Sequence, residues 1–177
     1  DLGAVFGQKF GWERANWFAP EGVDQKDDWS FRRSKWFDHV GNECLNVQNN
    51  VGILDMTAFA KCRISGPGAK DFLDNLVANK LPQKNGRVNL CHALNTKGGV
   101  HSEFTIAKES DDSYYLVSAG AFQRLDHDWI KKWMPNDRSV TFENLTNSMG
   151  VLVVAGPKSR ELLQKISTDD FSNENFK

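Results

Sequence analysis

Ten residues from Asn95 to Phe104 read Asn-Thr-Lys-Gly-Gly-Val-His-Ser-Glu-Phe, and three consecutive positions among them carry an imidazole, a hydroxyl and a carboxylate. Along a strand, successive side chains point to opposite faces. Val100, Ser102, Phe104 and Ile106 therefore share one face, and His101, Glu103 and Thr105 share the other. The first set is mostly apolar and is expected to meet a core. Glu103 then stands on the second face, where a carboxylate can bind a cationic or N–H-rich ligand or move a proton. A solvent-facing hairpin whose Glu has no chemical task fits the same pattern, and the residues alone leave both readings open.

Other candidates are weaker. His101-Ser102-Glu103 matches the H-x-E half of a zinc deaminase signature, but the P-C-x-x-C half is absent. His39, His92 and His127 show no metal-ligand spacing, so no metal site is expected. His92 alternates with Val88, Leu90 and Leu94, the pattern of a partly buried, hydrogen-bonded histidine. Asp55 in Ile53-Leu54-Asp55-Met56-Thr57 reads as a cap or turn residue. No G-x-G-x-x-G, P-loop, G-x-S-x-G or H-E-x-x-H occurs, so a dinucleotide fold has no support.

The elements that must position Glu103 follow from periodicity. Strands are expected at 61–65, 87–94, 100–107, 113–119, 139–142 and 151–155, with a Gly98-Gly99 hairpin and an Asp111-Asp112 turn. Helices are expected at 37–51, 67–78, 121–133 and 157–166. Their inward stripes are Trp36, Val40, Cys44, Val47 and Val51 in the first, and Phe72, Leu73 and Leu76 in the second. Phe122, Leu125, Trp129 and Trp133 form that of the third, and Leu162, Leu163 and Ile166 that of the fourth. Ile64 to Leu73 parallels Val154 to Leu163, each a strand, a Gly-Pro corner and a helix with proline in its first turn. Strands following one another with interspersed helices indicate an α+β fold. Residues 1–35 are aromatic and turn-rich, fit neither period, and read as a lead-in that packs over a neighbouring domain. The domain proper is read as 36–177.

Size and charge exclude several classes. The 177 residues are 40% hydrophobic and 25% charged, an ordinary globular composition. A formal net charge of -1, with only short basic clusters, speaks against nucleic acid as a partner. No apolar run approaches a membrane span. Three widely spaced cysteines argue against a disulfide framework and for a reducing compartment. The chain opens on Asp1 straight into Leu2-Gly3-Ala4, with no visible targeting peptide, which reads as a processed product or an excised fragment.

Several stretches in a shared order resemble the aminomethyltransferase family, whose best-known member is the T-protein of the glycine cleavage system. Ile53-Leu54-Asp55-Met56-Thr57 resembles its D-M-S/T segment, and Ile64 to Leu73 its V-x-G-x-D/G-A strand and helix. Asn95 to Glu103 resembles its Gly-Gly hairpin, and Tyr115-Leu116-Val117-Ser118-Ala119 its L-V-V-N-A strand. Gly150 to Leu163 resembles the following L-x-G-P-x-A/S unit. Phe10-Gly11-Trp12-Glu13-Arg14-Ala15-Asn16-Trp17-Phe18 resembles the G-W-E-R-x-x-W-F stretch of dimethylglycine and sarcosine dehydrogenases, where a FAD-dependent oxidase part passes into a T-protein-like part.

The resemblance implies a T-protein-like α+β fold with antiparallel sheets, here incomplete. It implies a tetrahydrofolate-binding module that captures an iminium, formed at FAD in an upstream oxidase part of the same polypeptide, as 5,10-methylenetetrahydrofolate. A non-catalytic folate-binding or structural domain is the alternative. The T-protein places a catalytic carboxylate in its G-G-x-x-D-D hairpin. Here those two positions are Ser102 and Glu103, so the catalytic role passes to Glu103 alone. The folate-side positions carried over are Met56, Leu90, Ser102, Glu103, Tyr115 and Ser118. Ser118 replaces an Asn and keeps one hydroxyl for a pterin edge. Leu90 replaces a Tyr and removes a stacking contact, whereas Met56 matches the family and offers a thioether. The implied location is the bacterial cytoplasm, or the mitochondrial matrix if the source is eukaryotic.

Overall fold

The computed structural model describes residues 2–176 and falls into two compact units, one made of residues up to Met56 together with the segment from Leu152 onward, the other of Thr57–Val151. The cuts fall after Met56 and after Val151.

In the first unit the lead-in is not irregular. Strand β1 (Ala4–Lys9) pairs antiparallel with β2 (Trp12–Phe18) around a two-residue turn at Phe10 and Gly11, both at positive φ. The expectation missed this hairpin because Phe10 occupies a left-handed position that favours Gly, Asn or Asp. A register shift between Val5 and Phe6 further breaks the alternation. Val5, Trp17 and Ala19 are buried under Val23, Trp36 and Val40, and the Trp17 indole N–H donates to Asp27 at 3.0 Å. Helix α1 (Phe37–Asn49) uses Trp36 and Val40 for that contact, while Cys44 and Val47 stay exposed. Strands β3 (Gly52–Asp55) and β9 (Leu152–Ala155) pair antiparallel, and α4 (Ser159–Ile166) follows. The expected inward stripe of α4 is only half-buried at Leu162 and Leu163 and is exposed at Ile166.

The second unit is a five-stranded antiparallel sheet of order β5-β6-β7-β4-β8. Its strands are β4 (Ala60–Ser65), β5 (Val88–Leu94), β6 (Val100–Ser110), β7 (Ser113–Ser118) and β8 (Thr141–Asn144). The expected hairpins lie at both ends of β6. At the Gly98-Gly99 end, Asn95 Oδ1 accepts from the N–H groups of Lys97 and Gly99 and ties the loop off. One sheet face packs on α2 (Ala69–Leu76) and α3 (Gln123–Trp133), burying Ile64, Phe72, Leu73, Cys91, Phe104, Ile106, Leu116 and Ile130. Each such apolar side chain contributes about 1.5–3 kcal/mol when fully buried. Ser102, Phe104 and Ile106 face inward as alternation requires, while Val100 lies outside at the hairpin mouth, beside a register shift.

Helix α3 departs from expectation. Asp126, His127 and Ile130 are its buried residues, and Phe122, Leu125 and Trp133 are about half exposed. The helix is rolled by one row, so the aromatic stripe borders the core rather than filling it. The two Gly-Pro corners share one hydrogen-bonding plan. The Ala69 N–H donates to Gly66 O at 2.9 Å, and the Ser159 N–H donates to Gly156 O at 3.1 Å. Pro67 and Pro157 thus occupy the second position of a turn that precedes each helix, not the first helical turn. A fixed φ near −65° serves that position equally well.

Candidate functional site

The site forms where two neighbouring strands differ in length. Pairing of β6 with β7 begins at Thr105, so from Val100 to Phe104 the sheet neighbour of β6 is β5. Past Ser118 the chain leaves the sheet as a 3-10 turn (Gly120–Phe122) that runs into α3. A cavity of about 360 Å³ occupies this gap. It is reached from both faces of β6, by Ser102 from one and His101 and Glu103 from the other. Phe59, Val117, Ser118, Phe122 and Asp126 complete the part used below.

Glu103 lies on the outer face, opposite Phe104, as alternation requires. Its cross-strand partner is His92, with Nε2 3.0 Å from the Glu103 carboxylate. The side chains of His92 and Glu103 are 36% and 61% exposed, so the pair orients the carboxylate without withdrawing it from solvent. His101 is held more firmly. Its ring stacks on Trp129 at 3.9 Å between centroids and 23° between planes, and its Nδ1 lies 2.8 Å from Ser102 Oγ. That contact fixes the buried Ser102 hydroxyl beside the cavity.

Of the sequence-derived positions, the cavity gathers Ser102, Glu103 and Ser118. Ser118 is buried at the end of β7. Leu90 sits on the outer face opposite Thr105, half exposed, and does not line the cavity. Tyr115 lies further along β7, opposite Arg63 and Ala107, and burial there, with Glu109 nearby, raises its pKa. Met56 follows β3 in the other unit and is half-buried.

The sequence reading missed Asp126. This carboxylate on α3 is 2% exposed, lines the cavity, and lies close enough to Cys62 to add to the burial that pushes that thiol up to about 12. A signal was present: Asp126 shares a helical row with Phe122 and Ile130, and an acidic residue in an apolar row calls for a reason. Among the described residues, no group of three His, Cys, Asp or Glu side chains is arranged to hold a metal ion. No helix there is long and apolar enough to cross a membrane.

Comparison with known proteins places this geometry in a lineage. The GCVT N-terminal domain family matches residues 1–177. The dimethylglycine dehydrogenase of mouse mitochondria is 37% identical over 168 residues, 94% of this chain and 19% of that protein. An aminomethyltransferase of Thermoanaerobacter is 31% identical over 144 residues, 79% of this chain and 38% of the relative. The crystal structure of the glycine cleavage aminomethyltransferase T of Bartonella henselae superposes with a TM-score of 0.74 at 19% identity, covering 93% of this chain and 40% of that one. That likeness bears out the α+β, T-protein-like fold with antiparallel sheets. The chain spans about a fifth of the length of the dimethylglycine dehydrogenase it matches. On the family match and this identity together, the chain belongs to the GCVT aminomethyltransferase family as its N-terminal domain.

Proposed function

We propose that this chain is the tetrahydrofolate-binding, one-carbon-transfer module of an N-methyl amine dehydrogenase of the dimethylglycine or sarcosine type. The supporting observation is the cavity at the end of β7, where Glu103, Ser102 and Ser118 converge on the hairpin for which the family supplies a catalytic carboxylate. A reduced pterin presents N–H groups along its edge and an apolar ring face. Carboxylate and hydroxyl acceptors beside Phe59, Val117 and Phe122 suit both. Leu90, Tyr115 and Met56 remain assigned to the folate side on the family resemblance alone.

In this reading, a FAD-dependent oxidase part of the same polypeptide removes two electrons from the amine and leaves an iminium. Residues 1–35 would join that part to this module. Among the described residues the strands pair antiparallel, and none offers the Gly-rich βαβ turn that a flavin dinucleotide takes. The iminium carbon becomes bonded to both reacting folate nitrogens, and the demethylated amine departs. The two protons those nitrogens lose equal the two needed to release the amine in its ammonium form. Glu103, close to solvent, accepts a proton from the folate and returns it to the departing amine. His92 keeps its carboxylate turned along the hairpin. The mitochondrial relatives are consistent with a matrix location.

The test is Glu103→Gln in the intact protein, which keeps shape and removes the base. Amine oxidation should continue near the wild-type rate. Methylenetetrahydrofolate formation should fall by about 10²–10⁴-fold, the usual contribution of general acid–base catalysis. Free formaldehyde should rise in its place. Wild-type methylenetetrahydrofolate formation with unchanged folate affinity would refute the assignment.

A further inference from the structure

We propose that Asp126 is a second carboxylate of this site, one that binds ligand N–H donors rather than supporting the fold. The inference rests on the tetrahydrofolate reading for the identity of the ligand. Asp126 is 2% exposed and has no hydrogen bond or ion pair among the described residues, and its carboxylate oxygens are open to the cavity rather than sealed in the core. Buried carboxylates ordinarily have such partners, because an ionised group taken out of water without them is strongly unfavourable. Asp126 lies in the first turn of α3, where the helix dipole favours negative charge and leaves its acceptor capacity free. The place those oxygens can be satisfied is the cavity that Asp126 lines with Ser102, Glu103 and Ser118.

The two carboxylates then divide the work by environment. Glu103 is wet and paired with His92, suited to exchanging protons. Asp126 is far less exposed and has no protein partner among the described residues, suited to accepting a hydrogen bond from a donor that arrives with the ligand. A reduced pterin carries such donors, and an oxygen-rich ligand of the same size would be repelled.

Asp126→Asn in the intact protein separates this role from a structural one, because the two predict opposite signs. A residue that binds ligand at the expense of the empty fold should, when neutralised, leave the melting temperature of the ligand-free protein unchanged or raised. The same change should weaken tetrahydrofolate binding, measured by calorimetry under anaerobic conditions, by about 10- to 100-fold, the scale of a hydrogen bond to a charged group. Amine oxidation at the flavin should be untouched. A fall in melting temperature, or failure of the variant to fold, would make Asp126 structural and overturn the inference. So would wild-type affinity in the variant. If the wild-type protein itself does not bind tetrahydrofolate, the functional reading fails and the ligand assignment fails with it. If it binds, and Asp126→Asn alone leaves affinity intact, the functional reading stands and only this inference falls.

Discussion

Gly66 carries the corner that launches α2, and replacing it with Ala tests how rigidly that corner is built. Its φ is +114°, a region closed to residues with a Cβ. An added Cβ would lie 2.4 Å from the Ser139 carbonyl oxygen and 3.3 Å from its carbon. That oxygen is backbone and cannot rotate away, and it accepts the Gly68 N–H at 3.0 Å. Backbone strain of this kind costs about 1–3 kcal/mol, and displacing a bonded carbonyl adds about 1 kcal/mol. A loss of about 3 kcal/mol follows, or about 10–20 °C in melting temperature for a unit of roughly 100 residues. Gly86 provides the control: its φ is +79°, but a Cβ there meets nothing within 4 Å. Gly86→Ala should therefore cost only about 1 kcal/mol, by strain without collision. Thermal unfolding followed by circular dichroism compares the two. Equal losses for Gly66→Ala and Gly86→Ala would refute the collision argument, because strain alone would then account for both.

Arg63 grips Glu109 with two donors, at 2.7 and 3.0 Å, and Glu143 with a third at 2.9 Å, and the Arg63 hydrogen bond holds Glu109 below the usual carboxylate range. A depressed carboxyl pKa stabilises above its unfolded value and loses that contribution as pH falls through the folded one. Arg63→Met should thus lower the melting temperature at pH 7 by the equivalent of about 1 kcal/mol, given the partial exposure. That deficit should shrink below pH of about 4, and a constant deficit from pH 7 to 3 would count against the ion pair. His92→Leu should slow methylenetetrahydrofolate formation about two- to fivefold, since a pair this exposed is worth at most about 1 kcal/mol. Combined with Glu103→Gln it should add nothing further, and a multiplicative loss would show that His92 acts elsewhere.

The sequence carried the hairpin because alternation along β6 is regular from Ser102 to Ile106 and the turn at Gly98 is marked by its residues. It carried the repeat because both Gly-Pro corners recur with the same helix length. It failed where a single residue overrides its type. Phe10 takes a glycine conformation, so the β1–β2 hairpin was invisible. In α3 the aromatic row outweighed Ile130 by size, although Ile130 is the buried one. Asp126 was missed with it, since which row of a helix faces inward is decided by the neighbouring sheet and not by the helix itself. The grouping of Ser102 with Glu103 came from the family resemblance and not from alternation: they leave β6 on opposite faces and share a cavity because β7 stops short.

That shortness of β7 also constrains how the site can be probed and how it can drift. A strand flank without a neighbour is a template on which another extended chain can add, and proteins guard such flanks with charged or bulky polar side chains. Over Val100 to Phe104, Glu103 is the exposed polar residue of that flank, His101 being half-buried against Trp129. A carboxylate on that flank would also guard against self-association, so in the proposed reading two duties would fall to one side chain. An apolar replacement would remove both together and confuse lost chemistry with clumping. Polar, shape-preserving replacements keep the flank closed to strangers, and selection on solubility alone would hold this position polar even in descendants that no longer turn over.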